Sequence, residues 1–317
     1  MNGLRCLLRF GGNALRCCAD GHGRILRESR RGVRHRRIGK HSALLDAARS
    51  GYCLGMRAHA LPLMLLAVLA GCEPDPVAWG DPKPIGPPPA DGGASHLVVD
   101  SAGAARFVAD TVRPSTLPAA LGLCAATLRT AQGRSLLFAS WWSVRADSSA
   151  VLYLANSPDG GRNWSAALKV DTTDVSSNGC KRPAPALTTV GDDAYLAYSM
   201  IAPEGKGVFF AHLMGNMLHT PVSVIYGDRL VETSIAADEH RVAVAYEEPN
   251  GSRPQIDVAI SVTQGHLFDW HATASRAVDV ASSPAVAMSG PVLAVSWVNS
   301  QPSGGPPNRV VRVGRPQ

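Results

Sequence analysis

Three stretches of this chain share one pattern at nearly even spacing, and that recurrence limits the available folds more than any single residue does. Pro185-Ala186-Leu187 followed by Tyr195-Leu196-Ala197-Tyr198 is echoed by Thr233-Ser234-Ile235 followed by Val242-Ala243-Val244-Ala245-Tyr246. It is echoed again by Pro284-Ala285-Val286 followed by Val292-Leu293-Ala294-Val295-Ser296-Trp297. The aromatic that closes each second run falls at 198, 246 and 297, spacings of 48 and 51. An earlier copy, Ala125-Ala126-Thr127 and then 136–141, is offset from Tyr198 by 57. Such β-branched and aromatic runs, bounded by Gly, Pro, Asn and Asp, read as short strands, and from 96 to 317 no helical period interrupts them.

A period near 50 made only of strands is the mark of propeller blades. Each copy continues into a third strand, at 151–156, 208–213, 256–262 and 309–313, and the first three into a fourth, at 166–170, 221–226 and 272–277. The last copy stops after its third strand. Its outer strand is expected from 105–112, which would tie the chain ends together and remove an open sheet edge. The fold class is therefore all-β, a β-propeller of four-stranded antiparallel blades over 96–317, with four blades visible, or five if 96–100 belongs to another.

Between the strands at 151–156 and 166–170 lies Ser157-Pro158-Asp159-Gly160-Gly161-Arg162-Asn163-Trp164. Two glycines give the positive φ of a tight turn, Ser and Asp can accept turn amides, and Trp164 can fold over the turn as an apolar lid. Ser157, Asp159, Gly161 and Trp164 form the pattern Ser-x-Asp-x-Gly-x-x-Trp, which resembles the Asp-box of the bacterial neuraminidase repeat found in sialidases and other propeller proteins. The resemblance implies a structural turn on the face opposite the ligand site, and a family whose sialidases have six blades. Ser261-x-Thr263-x-Gly265 followed by Trp270 looks like a worn copy.

The net charge of +6 hides a split. Through Cys72 there are 13 Lys+Arg against 3 Asp+Glu, and from Glu73 onward 18 against 22. The basic character sits in the leader, so nothing in the body points to nucleic acid. Residues 1–55 are Arg-rich without strand alternation, and we expect them to be a mis-assigned extension before a true start at Met56. Residues 56–72 read as a signal peptide, with an apolar run at 60–70 too short for the roughly 20 residues of a bilayer span. Leu69-Ala70-Gly71-Cys72 resembles the lipobox of bacterial lipoproteins. That resemblance implies lipidation at Cys72, a membrane partner through the acylated cysteine, and, with Glu73 next, the outer membrane or periplasmic face. Residues 73–95 hold seven prolines and read as a tether.

In such blades, the loops entering the inner strands share one face with the loops between strands two and three. Arg145, Arg182, Arg229 and Arg253 fall on that face with Trp142, as do the acids Asp147, Glu232 and Glu247. Sialidases resembling this fold hold a substrate carboxylate with three arginines and use a Tyr–Glu nucleophile with an Asp acid/base. The arginines are accordingly candidates for ligand binding, and Arg182, Glu232, Glu247 and Asp147 for catalysis. The family's Phe/Tyr-Arg-Ile-Pro segment has only a partial echo in Lys181-Arg182-Pro183, and Tyr246 reads as a packed blade residue. Cys124 and Cys180 both precede inner strands of neighbouring blades, and an exported protein is expected to join them. His212-x-Met214-x-x-Met217-x-His219 could suit Cu(I), but we read it as a strand end and turn, so no metal or cofactor is expected.

The reading is a membrane-anchored, sialidase-like propeller lipoprotein that binds a glycan or an envelope protein without hydrolysis; the alternative is an exo-sialidase or related glycoside hydrolase. Oligomeric state is not legible.

Overall fold

The computed structural model describes residues 6–10, 13–17, 75–88, 95–110, 112, 114–118, 123–300 and 306–317. The chain divides into Met1–Pro74 and Asp75–Gln317. In the first unit the described residues form one antiparallel hairpin, β1 (Cys6–Phe10) with β2 (Asn13–Cys17), where the sequence suggests no strand. Met56, the apolar run and Cys72 lie outside the described residues.

The second unit is a β-propeller whose described strands form five antiparallel sheets. Two strands precede them in sequence, β3 (Val77–Trp79) and β4 (Lys83–Pro84). Blade one pairs β5 (Ser95–Val99) with β6 (Ala105–Ala109). Blade two is β7 (Arg129–Gln132), β8 (Leu137–Val144), β9 (Ala150–Ser157) and β10 (Leu168–Asp171). Blade three is β11 (Ala186–Val190), β12 (Asp193–Ala202) and β13 (Gly205–Met214), with β14 (Met217–Leu218) and β15 (Val222–Tyr226) both on the edge of β13. Blade four is β16 (Thr233–Ala237), β17 (Val242–Glu247), β18 (Ile256–Ser261) and β19 (Trp270–Thr273). Blade five is β20 (Ala281–Ser289), β21 (Val292–Asn299) and β22 (Asn308–Pro316).

Strand alternation explains why the second strand of each blade reads as a continuous apolar run. On β12, Leu196 and Tyr198 face the core shared with blade two, while Tyr195 and Ala197 face the core shared with blade four. Both faces are buried, so both sets of alternate residues must be apolar. The recurring aromatics take equivalent places: Tyr198, Tyr246 and Trp297 each point into the core shared with the preceding blade. A fourth core, built on Leu97, Val99, Ala294 and Val311, joins blade five to blade one.

The structure corrects three expectations. The outer edge of blade five is not 105–112, whose strand pairs with β5 instead; it is β3 and β4, both antiparallel to β22. Part of the proline-rich segment expected to be a tether is thus built into the ring. Val77 is 1% exposed in the core of blades four and five, and Gly314 leaves it room: a Cβ there would lie 2.6 Å from Val77 Cγ1. An edge position tolerates Pro84, whose missing N–H costs no ladder bond toward solvent. Lastly, 125–127 forms a 3-10 turn, and the inner strand begins at Arg129.

The inner strands β5, β7, β11, β16 and β20 surround a channel of about 1300 Å³. At one end the turns after the inner strands are cross-linked. Asp192 accepts from the Ser135 amide at 2.7 Å and its hydroxyl at 2.6 Å, Arg134 N donates to Gly191 O, and Arg241 donates to Gly290 O. The opposite end carries the strand-two-to-three loops and the entries to the inner strands, and there the expected disulfide joins Cys124 to Cys180 with Cα atoms 5.4 Å apart.

Candidate functional site

At the cross-linked end the octet forms the turn its residues imply. Gly160 and Gly161 have φ of 73° and 85°, Ser157 Oγ accepts Gly161 N at 2.8 Å, and Asp159 Oδ1 accepts Arg162 N at 3.1 Å and Asn163 N at 2.9 Å. These amides, Asn163 first, pull the Asp159 carboxyl down to about 2. Trp164 does not simply cap its own turn. Its Nε1 donates to Thr116 O at 3.1 Å, so it fastens the segment at 114–118 across blade two. Every bond here is structural.

At the other end, Glu232 lines the channel just before β16 and is exposed. Glu247, at the end of β17, is half-buried, and its Oε1 accepts the Ser283 amide at 3.2 Å. Burial lifts the Glu247 carboxyl above the ordinary range; the Ser283 amide opposes this, Glu232 adds to it and Arg229 opposes it. Ser283 holds φ of 52° at an irregularity of β20, a left-handed conformation rare for a residue with a Cβ. Its carbonyl accepts from Arg309 Nη1 at 3.3 Å, and Arg309 stacks 5.0 Å from the Phe107 ring. Burial depresses both Arg309 and Arg129, and Glu232 counteracts it in each. The mouth therefore sets two carboxylates among the guanidinium groups of Arg129, Arg229 and Arg309.

Beside it lies a pocket of about 580 Å³ between the loops of blades two, three and four. Lys181, Arg182, Lys206 and Arg229 line it, with Asp228 as the only carboxylate in its wall. Lys206 Nζ donates to Asp228 O at 3.0 Å. Arg229 donates through Nη2 to Glu248 O, while its Nε is buried without a hydrogen-bond partner among the described residues.

The candidate residues are not gathered as a three-arginine clamp would need. The Arg182 side chain, 1% exposed, bonds Asp174 Oδ2 at 3.1 Å, Ser176 Oγ at 3.1 Å and Gly179 O at 2.7 Å, and lies 5.0 Å from the Trp142 ring. Trp142 is itself fully buried, its Nε1 donating to Pro183 O at 3.0 Å, and offers no ligand platform. Arg145 ties Thr172 O at 2.6 Å and Ser149 Oγ at 2.9 Å. Arg253 ties Ala277 O at 3.1 Å. Asp147 closes the turn at 147–149, and the Ser149 hydroxyl and amide hold its carboxyl below the ordinary range, unfit for a proton donor at neutral pH. Arg229, Glu232 and Glu247 alone are kept together at the mouth.

Tyr198 and Tyr246 are core residues: Tyr198 Oη donates to Asp171 at 2.7 Å, Tyr246 Oη lies 3.2 Å from His271 Nδ1, and burial raises both. Sequence reasoning missed Arg129 and Arg309. The only available signal was position, since Arg129 opens β7 and Arg309 is the second residue of β22, both at the mouth end.

No protein-family model matches the chain, and no curated protein matches it. Similar solved structures include an α-L-arabinofuranosidase from Podospora anserina in complex with cellotriose, at 10% identity and TM-score 0.40, covering 76% of this chain and 98% of that one. The Trypanosoma rangeli sialidase in complex with the inhibitor DANA has 11% identity and TM-score 0.40, covering 73% and 43%. A subtype N10 neuraminidase-like protein of a little yellow-shouldered bat influenza A isolate has 9% identity and TM-score 0.39, covering 59% and 54%. The blade assignment rests on strand order and register within this chain.

Proposed function

We propose that this chain is an exported binding module that holds an anionic ligand, such as an acidic glycan or an acidic envelope-protein loop, at the mouth of its propeller without cleaving it. The observation that carries the reading is the pocket walled by Lys181, Lys206 and Arg229 against the single carboxylate of Asp228, the Arg182 guanidinium in the same wall being already neutralised by Asp174. Clefts lined by one sign of charge attract the opposite sign, and Arg is suited to holding a carboxylate. The octet turn supports kinship with Asp-box propellers. The disulfide supports an oxidising compartment. With the lipobox-like run before it, we place the protein at a membrane, anchored through an acylated Cys72 on the outer-membrane or periplasmic side.

A second reading, a glycoside hydrolase, is favoured by one feature: Glu247 is lifted beside Glu232, the kind of split that separates a proton donor from its partner carboxylate. Calorimetric titration with N-acetylneuraminic acid and with neutral galactose separates the outcomes. We expect salt-sensitive binding of the acid alone, lost in Lys206→Ala/Arg229→Ala. Equal binding by that double variant would overturn the assignment of the pocket. Release of fluorophore from an aryl sialoside or arabinofuranoside, abolished by Glu247→Gln, would establish the enzyme instead.

A further inference from the structure

We propose that His212, His219 and His266 form a site for a late first-row divalent cation, Zn²⁺ in the first place, which clamps blade three to blade four at the end of the ring that carries the octet turn. The ligand-bearing nitrogens of the three imidazoles all lie within 4.8 Å of one another, and the ring centroids are 4.2, 5.1 and 5.5 Å apart. A tetrahedral Zn²⁺ with nitrogen ligands near 2.05 Å would set those atoms roughly 3.4 Å apart. Small rotations close the difference, and the two outer rings are free to make them, His219 being half-buried and His266 exposed.

His212 is the fixed member. It sits on β13 at 2% exposure, between Tyr195 at 5.9 Å and Phe210 at 5.4 Å, and neither ring nitrogen has a hydrogen-bond partner among the described residues. Buried polar atoms are almost always satisfied, so an imidazole orphaned beside two others needs a reason, and a metal bond supplies it for one of its two nitrogens. The backbones of the other two are anchored. His219 N donates to His212 O at 3.0 Å across the β13–β14 turn, and His266 N donates to Thr263 O at 3.1 Å in the β18–β19 turn. Gly265 in that turn packs so closely on Phe210 of blade three that a Cβ would lie 2.1 Å from its ring. The second blade therefore brings its histidine to the first by backbone contact.

Three imidazoles without a carboxylate ligand select zinc, copper or nickel over magnesium or calcium. The methionines of the same hairpin do not complete a soft Cu(I) set: Met217 is 65% exposed, and the third ligand comes from the next blade. With His266 at the surface, the fourth position opens to solvent and suits a water.

The test uses the full chain, stripped with chelator and titrated with Zn²⁺ by calorimetry, with metal content measured after dialysis. His266→Ala removes an exposed side chain and leaves the fold intact; His240→Ala, on a neighbouring turn and outside the cluster, is the control. We expect one more bound Zn²⁺ per chain in the native protein and in His240→Ala than in His266→Ala, with a rise in melting temperature on adding Zn²⁺ that His266→Ala lacks. Co²⁺ in place of zinc should give visible ligand-field bands that His266→Ala loses. Equal zinc content and affinity in His266→Ala would mean that any bound metal sits elsewhere in the chain, and would overturn the proposal. So would absence of binding at micromolar Zn²⁺.

Discussion

Replacing Asp174 by Asn tests whether Arg182 is scaffold or ligand clamp. Both side chains of the pair are 1% exposed, and Asp174 Oδ2 also accepts Ala150 N at 2.8 Å and Ser176 Oγ at 3.0 Å. Asn keeps the volume and can still accept from Ala150, but it leaves a guanidinium buried without a counter-charge. Breaking one side of a buried pair costs about 3–5 kcal/mol. With a urea slope near the upper end for small proteins, about 3 kcal/mol per molar, the unfolding midpoint should fall by roughly 1–2 M. Arg182→Met together with Asp174→Leu should recover part of that loss, because it removes both charges and leaves apolar volume beside Trp142. If Asp174→Asn moved the midpoint by less than about 0.3 M while anion binding collapsed, Arg182 would be a ligand group and the structural account would be refuted.

Replacing Cys124 and Cys180 together by Ser opens a loop with a sequence separation of 56, which the chain-entropy model values at about 4 kcal/mol. The melting temperature should drop by roughly 8–16 °C in calorimetry, at about 2–4 °C per kcal/mol for a body of this size. Asp159 should titrate near 2 when its carboxyl carbon is followed by NMR, against about 3.9 for a free Asp. Because its folded value is depressed, the turn's contribution is complete above the unfolded value and lost as pH falls through about 2. Glu247 is lifted, so the sign reverses: its charged form costs the fold stability as pH rises through its folded pKa. Glu247→Gln, whose amide oxygen can still accept Ser283 N, should therefore raise the melting temperature at pH 7 more than at pH 4.

The blades were legible because burial on both faces forces long apolar strands that end in a packed aromatic, and Tyr198, Tyr246 and Trp297 mark them at even spacing. What failed to show has a shared cause. β3 is three residues long and meets β22 from the far end of the chain, and no local period can announce such a pairing. β7 reads Arg-Thr-Ala-Gln because one of its faces lines the channel, so the more apolar 125–127 looked like the strand. Arg182 looked like a free loop cation because its buried partner, Asp174, lies eight residues upstream in the same loop, where no local pattern marks the pair. The mouth carboxylates Glu232 and Glu247 were found because position in the repeat, rather than packing, places them.

The octet turn and its worn copy, both at the cross-linked end, connect what was readable to what was not. Ser157 and Ser261 each accept the amide of a glycine four residues on, at 2.8 and 2.9 Å, and those glycines, Gly161 and Gly265, have φ of 85° and 93°. Asp159 and Thr263 each take the amide four residues beyond themselves, at 2.9 and 3.1 Å. One hydrogen-bond scheme thus survives the replacement of Asp by Thr, because the turn needs an oxygen acceptor there and not a charge. The substitution matters for what the turn presents. In blade two the turn fastens the 114–118 segment through Trp164, whereas in blade four it carries His266 to His212 and His219. Among the described residues the group of possible ligand atoms there is made of the three imidazoles, with no carboxylate or cysteine in it. The worn copy of the motif is therefore where a new binding site is easiest to build: Ser261 and Thr263 still hold the backbone, and the His266 side chain takes no part in that scheme.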